Sequence, residues 1–356
     1  MAVAGWQARL QAVWWRTAPP PPCGLRWLSV LFGSAVARRR AAFLDGRRPV
    51  HRLGVPVIVV GNRIVGGAGK TPTTLALLQA LQQAGWRPGV VSRGHGRRGD
   101  GVLEVDPAAA AGQTGDEPLL IARRTGVPVW IGQDRAAAAR ALLHARPQVD
   151  VIVCDDGLQH LALGRDLELI VFDDRGAGNG HLLPAGPLRE PIDAPSTAPH
   201  RWVLYNAAAP STLLPGAVAR RSLAPPQPLA DWRAGTAAPA ADWVAWQDRP
   251  AWALAGIGAP ERFFADLRRA GVPLPAAHTL PLPDHADFAT LPWPATVRDL
   301  LVTEKDAVKL DPARLAAERP ATRVWVVPLR YALPATLVDE VLQALAAVPR
   351  AAAPAR

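Results

Sequence analysis

The chain has 356 residues, 49% of them hydrophobic and 20% charged, with 30 glycines and 37 prolines. At ~150 residues per domain that length carries about two domains and excludes a small stapled module, and glycine plus proline, about a fifth of the chain, stays below the roughly 25–30% of low-complexity sequences. Two cysteines, Cys23 and Cys154, exclude a disulfide framework or a four-cysteine zinc site and point to a reducing compartment. Forty basic against thirty acidic side chains give +10, nearly all of it arginine, with lysine only at 70, 305 and 309. That balance suits anionic partners such as phosphorylated substrates or anionic lipid. The arginines are dispersed and no aromatic stacking platform accompanies them, which argues against nucleic acid.

Residues 1–47 read as an N-terminal membrane-associating helical segment. The longest uncharged apolar run, Trp27 to Ala37, is about 11 residues, against the ~20 a spanning helix needs. Leu28, Leu31 and Phe32 fall at helical spacing, Arg26 and Arg38–Arg40 flank them, and Trp14, Trp15 and Arg16 precede the breaker Pro19–Pro22. Aromatics beside arginines fit a helix lying on anionic lipid. A core-packed helix is the alternative, and a signal peptide is the weaker one because Arg26 interrupts the apolar region.

Residues 48–206 alternate strand and helix. Strands are expected at Val55–Val60, Gly89–Ser92, Val127–Ile131, Val149–Cys154 and Leu167–Phe172, with helices at Thr71–Ala84, Glu117–Arg124 and Arg135–Ala145. Continuous Val/Ile runs between helices imply an α/β fold, a mainly parallel sheet with helices on both faces. Residues 207–250, rich in Pro and Ala, read as an irregular linker or ribbon containing a domain boundary. Residues 251–348 form a second, smaller α/β unit, with strands at Ala251–Ala255, Leu300–Thr303 and Arg323–Val327 and helices at Pro260–Ala270 and Pro334–Ala347, the last with proline in its first turn. Residues 349–356 read as a disordered tail.

The strongest motif follows the first strand: Gly66-Gly67-Ala68-Gly69-Lys70-Thr71-Pro72. A strand, a Gly-rich turn and Gly-Lys-Thr opening a helix form a P-loop, in which backbone N–H groups hold phosphate oxygens, Lys70 reaches the outer phosphates of ATP and Thr71 ligates Mg2+. The general pattern has glycine five residues before Gly69, where this chain has Ile64. The strand Val149–Cys154 runs into Asp155-Asp156-Gly157-Leu158-Gln159-His160, where a carboxylate at the end of a parallel strand can hold Mg2+.

Thr114-Gly115-Asp116-Glu117 has by spacing the form of a capping box, Thr114 and Glu117 bonding the first turn of a helix. The Gly/Pro-rich segment 178–190 is costly to order unless it closes on something, and an arginine on it could pair with phosphate. Asp284-His285 and Thr303-Glu304-Lys305-Asp306 follow expected strands, and a histidine beside carboxylates can work as part of a base.

Taken in order, Gly66–Pro72, Ser92-Arg93-Gly94, Gly115–Pro118, Asp155–His160, Asn179-Gly180 through Arg189-Glu190-Pro191, Asp284-His285 and Thr303–Asp306 resemble the tetraacyldisaccharide 4′-kinase family, the lipid A 4′-kinases of Gram-negative bacteria. His95 stands where that family usually has tyrosine. The resemblance implies a P-loop NTPase-like fold and transfer of the ATP γ-phosphoryl group to the 4′-hydroxyl of a tetraacyl-glucosamine disaccharide 1-phosphate, giving lipid IV-A. It places Asp116 and His285 at the acceptor hydroxyl, and Glu117, Gln159, Arg135 and Arg189 around the nucleotide, metal and phosphates. It also implies a peripheral enzyme on the cytoplasmic face of the inner membrane, with a lipid disaccharide as substrate and no obligate protein partner. With His285 in the second unit, domain closure is expected to complete the site. A membrane-associated P-loop ATPase switch is the alternative. The Asn-Lys-x-Asp segment of guanine readers is absent, which favours ATP.

Overall fold

In a computed structural model of the chain, residues 9–16, 18–236 and 242–349 are described. The expected tail at 349–356 therefore lies outside the described residues except for its first position, as do residues 1–8 of the N-terminal segment. The chain forms two compact units, Met1–Arg93 with Asp134–Arg220 and Leu333–Arg356, and Gly94–Gln133 with Arg221–Ala332. This differs from the contiguous boundaries expected at 48–206 and 251–348. A linear reading groups neighbours in sequence, whereas the last helix, Ala335–Ala347, packs on the helix Lys70–Gln83 and the strand Leu167–Asp173.

In the first unit the strands Pro88–Ser92, Val151–Asp155, Val57–Gly61, Leu167–Asp173, His200–Asn206 and Ala217–Val218 are neighbours in that order, and every pair is parallel. The first four of these are buried along their whole length, as continuous Val/Ile runs require when both faces of a parallel sheet are covered. The helix Arg135–Ala145 begins where expected because Asp134 caps it, its Oδ1 accepting the N–H groups of Ala136 at 2.9 Å and Ala137 at 3.1 Å. Both cysteines are free.

In the second unit a short antiparallel pair, Leu103–Glu104 with Val129–Ile131, accompanies a sheet ordered Gln227–Pro228, Arg323–Val327, Asp299–Thr303, Trp252–Ala255, Thr279–Pro281. All of its pairings are parallel except the first. The helix Pro260–Arg269 opens with proline at its first position and turns Phe263, Phe264 and Leu267 into a core shared with Ala253, Ala255, Leu301 and Trp246. The 207–250 stretch is more ordered than its composition suggests, with short strands, the helix Leu229–Arg233 and the 3-10 turn Trp243–Trp246. One of its tryptophans has a use: Arg249 lies 4.4 Å from the Trp246 ring and 4.6 Å from that of Trp325, on the strand Arg323–Val327, while its guanidinium grips Asp299 at 3.0 and 2.6 Å. Pro334 precedes the last helix as its cap residue instead of standing in its first turn.

Two first-unit segments bear on function. The helix Cys23–Leu44 packs one face inward, Ser29 Oγ donating to Leu182 O at 2.7 Å and Gly33 facing Leu182, and Arg40 donates to Pro195 O and pairs with Glu190 at 3.7 Å. Trp27, Leu28, Val30 and Leu31 are exposed on its other side. Phe32 is half-buried, and Trp14 is buried with its indole N–H donating to Pro184 O at 2.9 Å. The apolar outer stripe is thus shifted from the Leu28, Leu31, Phe32 set expected from spacing, and Arg40 is engaged internally. No helix among the described residues is long and apolar enough to cross a membrane.

The Gly/Pro segment does close on something, the entry to the P-loop. Val65 N–H donates to Pro187 O at 2.9 Å and Arg189 N–H to Arg63 O at 2.7 Å, and Ile64, Ala68 and Leu188 form a small buried cluster. The position where the general P-loop pattern has glycine is therefore a core site, with Ile64 fully buried. Ile64→Ala is expected to cost about 2–5 kcal/mol of stability, read by chemical denaturation. A loss well under ~1 kcal/mol would show that the cluster does not anchor the segment.

Candidate active site

Each unit gathers its polar residues beyond the carboxyl ends of its parallel strands, the usual place for ligands in open α/β sheets. In the first unit the strand Val57–Gly61 leads into the Gly-rich turn and the helix Lys70–Gln83. Gly66 and Gly69 adopt φ of 95° and 93°, and a Cβ on Gly69 would come within 2.2 Å of Asn206 Nδ2, so only glycine fits there. The turn's carbonyls are held by side chains: Gly66 O accepts from Asn62 at 3.1 Å, Gly67 O from Arg175 at 2.7 Å and Ala68 O from Asn206 at 3.3 Å. Such a turn offers its N–H groups to phosphate.

Lys70 Nζ donates to Asn62 Oδ1 at 3.3 Å and stands 3.4 Å from Asp156. Arg189 lies 3.4 Å from the same carboxylate and donates to Gln159 Oε1 at 3.3 Å, while Gln159 Nε2 donates to Asn62 O and Glu190 Oε1, both at 3.0 Å. Burial alone would raise the Asp156 pKa, but Lys70 and Arg189 outweigh it and hold the carboxyl below its ordinary range. Asp155 is fully buried and accepts the Thr74 hydroxyl at 2.7 Å, whereas Asp156 keeps 32% of its side chain exposed. Thr71 and Arg135 are buried in the first turns of their helices, and the charge of Arg135 acts on Asp156. His160 is structural: burial and Arg135 push its ring down to about 4, leaving it neutral to accept the Arg135 N–H at 3.3 Å.

The second unit contains the other group. Asp116 opens the helix Asp116–Thr125, 6% exposed, and its Oδ1 and Oδ2 lie 3.1 and 2.9 Å from His285 Nδ1. Lys305 Nζ, just after the strand Asp299–Thr303, is 2.9 Å from both Glu117 Oε1 and Asp284 Oδ1, 3.5 Å from His285 Nε2 and 3.9 Å from Asp116 Oδ2. The His95 ring meets that of His285 edge-on, centroids 5.1 Å apart.

The capping box expected at Thr114–Glu117 does not form. The cap residue is Gly115, whose φ of 89° and 2.8 Å Cβ approach to His95 O exclude a side chain, and no side chain caps the helix. Glu117 turns to Lys305 instead, which leaves Asp116 turned to His285. Asp116, expected within the residues 48–206 of the P-loop domain, belongs with His285 to the second unit.

Burial would raise the Asp116 pKa, yet the His285 hydrogen bond and the Lys305 charge hold it below the ordinary value. The bond to Asp116 raises His285 against burial and Lys305. Burial opposes the charged form of Lys305, but Glu117, Asp116 and Asp284 raise its pKa overall. An ionised carboxylate with an imidazole donor behind it keeps lone pairs for an incoming hydroxyl.

The tetraacyldisaccharide-1-P 4'-kinase family matches residues 22–346, nearly the whole chain. This chain belongs to that family. A tetraacyldisaccharide 4'-kinase of Leptothrix cholodnii is 58% identical over 96% of either chain. One from Methylibium petroleiphilum is 56% identical over 89% of this chain and 88% of its own. A crystal structure titled as an "apo" form of LpxK from Aquifex aeolicus in complex with ATP is similar at a TM-score of 0.71, covering 89% of this chain and 97% of that one at 24% identity. That likeness shows the shared α/β P-loop kinase fold.

Sequence reasoning missed Asn62, Arg175 and Asn206, which brace the P-loop, and the place of Lys305 beside Asp116 and His285. For Lys305 a signal existed, since the chain has only three lysines. The brace residues carry no comparable signal, being a polar residue at a strand end or an arginine among many. The His285 ring is expected to titrate above the ordinary ~6.5, and Asp116→Asn, which removes the bonded anion, to lower that midpoint. Proton NMR of the ring across pH reads it, and an unchanged midpoint would mean that the two side chains are not paired.

Proposed function

We propose that this chain transfers the γ-phosphoryl group of ATP to the 4′-hydroxyl of a tetraacylated glucosamine disaccharide 1-phosphate, giving lipid IV-A in lipid A biosynthesis, with the second unit supplying the base. The observation that carries the assignment of roles is the 2.9 Å contact between Asp116 and His285 in a chain that also has a P-loop. Lys70, Thr71 and the turn Gly66–Gly69 bind the nucleotide phosphates, and Arg135, Arg189 and Gln159 surround them. Thr71, Asp155 and Asp156 are hard oxygen donors suited to Mg2+, with Asp156 the more accessible carboxylate. When bound, the ion neutralises phosphate charge. The acceptor hydroxyl donates to Asp116; as its oxygen bonds to the γ-phosphorus the proton passes to the carboxylate, the bond to the bridging oxygen breaks and ADP leaves. His285 orients Asp116 and keeps it ionised.

General-base help contributes roughly 10²–10⁴-fold. Asp116→Asn and His285→Ala are each expected to lower kcat by about that factor with ATP affinity little changed, and the double variant to be scarcely worse than the poorer single. The assay uses labelled ATP and the disaccharide 1-phosphate, followed to a doubly phosphorylated lipid. Losses that multiply in the double variant would place the base elsewhere. Lys70→Ala is expected to abolish most turnover while the fold remains.

The same reading places the enzyme on a membrane surface at the cytoplasmic face of the inner membrane. Its support is the stripe Trp27, Leu28, Val30 and Leu31, with exposures of 65%, 47%, 67% and 49% on one helix, beside exposed Arg26 and Arg38. Such a face enters the headgroup boundary while arginines meet anionic lipid. Replacing Trp27 and Leu31 together by serine is expected to weaken cosedimentation with anionic vesicles at least about tenfold, since each such side chain is worth ~1.5–3 kcal/mol on burial. Equal sedimentation would remove the helix from membrane binding.

A further inference from the structure

The stretch that follows Arg189 and Glu190 is neither helix nor strand, and arginines hold its carbonyls in place of a neighbouring strand. Arg63, 2% exposed, donates to Pro191 O at 3.0 Å, to Ala194 O at 2.7 Å and to Ile192 O. Arg201 donates to Ala194 O at 2.8 Å, and Arg40 to Pro195 O. Arg40 does one thing more, standing 3.7 Å from Glu190 Oε2. It belongs to the helix Cys23–Leu44, and the residue before it, Arg39, donates to Gln159 O at 3.3 Å. The side chain of Arg40 is only 14% exposed, so lipid contact does not explain its placement, and the reaction proposed above gives it no part.

The chemistry of these contacts fixes an orientation. Asn62 O and the Glu190 carboxylate are acceptors, so the side of the Gln159 amide that meets both, at 3.0 Å each, is its nitrogen. Its oxygen is then left for Arg189, a pure donor, at 3.3 Å, and Arg189 is kept 3.4 Å from Asp156. This series of links starts at Glu190, whose side chain is 7% exposed. A buried anion is retained only where cations and donors compensate it. Arg63 Nε is 4.0 Å from Oε1, but its fork is taken by carbonyls, which leaves Arg40 as the cation facing Oε2. We propose that Arg40 is a positioning residue of the phosphate site: by compensating Glu190 it fixes the Gln159 amide with its oxygen toward Arg189, and so sets Arg189 against Asp156. The inference rests on the place given above to Gln159 and Arg189 around the phosphates.

The first helix is then a working part of the nucleotide site. One side of it carries the exposed stripe, and its last turns reach Gln159 through Arg39 and Glu190 through Arg40. A guanidinium can serve Pro195 O and Glu190 together because its donors are spread across a fork, whereas an ammonium is a point charge. Without Arg40, turning outward to water relieves Glu190 of an uncompensated buried charge. Gln159 then loses an acceptor, its amide is free to rotate, and Arg189 loses the oxygen that holds it beside Asp156.

Arg40→Gln removes the charge, and Arg40→Lys keeps it. In the full chain, Arg40→Gln is expected to weaken binding of ATP with Mg2+ about tenfold, the low end of the roughly 10–100-fold that outer partners of a site are worth. Arg40→Lys should recover part of that loss, and cosedimentation with anionic vesicles should not change. Because Arg40 acts through Arg189, adding Arg40→Gln to Arg189→Ala should cost little beyond Arg189→Ala alone. Losses that multiply overturn the proposal. So does an ATP affinity unchanged in Arg40→Gln although Arg189→Ala weakens it, with only the melting temperature or vesicle binding lowered. A ligand-free measurement stands apart from folding of the variants: the Gln159 side-chain amide, identified by nitrogen–proton NMR through its absence in Gln159→Glu, should exchange slowly with water in the wild-type chain. Rapid exchange there overturns the proposal. If Arg40→Gln speeds that exchange while Arg189→Ala binds ATP as the wild type does, the positioning role holds and the assignment of Arg189 to the phosphates fails.

Discussion

The bond between Asp116 and His285 imposes conditions on everything around it in the second unit. A carboxylate 6% exposed is stable as an anion only if it is paired and hydrogen-bonded, because burial disfavours the charge. The Asp116 N-terminal helix position, the His285 donor and the Lys305 ammonium supply that compensation. The helix start must then come close to the backbone of residue 95, which glycine at 115 permits and a Cβ would prevent. Glu117, freed from capping, becomes a partner for Lys305. A single buried anion thereby accounts for a glycine, a missing cap and a lysine.

The first unit solves a related problem with the opposite balance of charge. Asp156, just beyond a central strand, is flanked by Lys70 and Arg189, each 3.4 Å away, so that one carboxylate balances two cations. Both Asp156 and His285 sit in the left-handed backbone region, at φ of 50° and 62°. Non-glycine residues are uncommon there, and such positions cluster where a side chain must be aimed. Phe288, buried in the second unit, shares that region at φ of 54°.

The net charge of +10 has structural as well as functional uses. Arg249 lies against two tryptophan rings that meet edge-on while it bonds Asp299, Arg63 donates to the carbonyls of Pro191 and Ala194, and Arg40 is drawn inward by Glu190. A guanidinium can stack and fork at once, so much of an arginine-rich composition is absorbed in packing. Only a subset, including Arg26 and Arg38, remains on the exposed side of the first helix.

Sequence by itself determined the elements whose causes are local. Val/Ile runs such as Val57–Val60 can be satisfied only as buried strands, and Gly-Gly-Ala-Gly-Lys-Thr between strand and helix specifies a phosphate turn wherever it folds. Ordered motifs also identified the family. Tertiary structure decided what depends on distant partners. Whether Asp116 lies in a capping box or against His285 could not be read from Thr-x-x-Glu spacing, because the answer rests on Lys305, 188 positions away from Glu117, claiming that glutamate. Whether Ile64 breaks the P-loop pattern or completes a core depends on Leu188, which reaches it from another loop. The grouping of residues 94–133 with 221–332 is likewise invisible in a linear pattern, since side chains select neighbours by burial and charge in space and not by order along the chain.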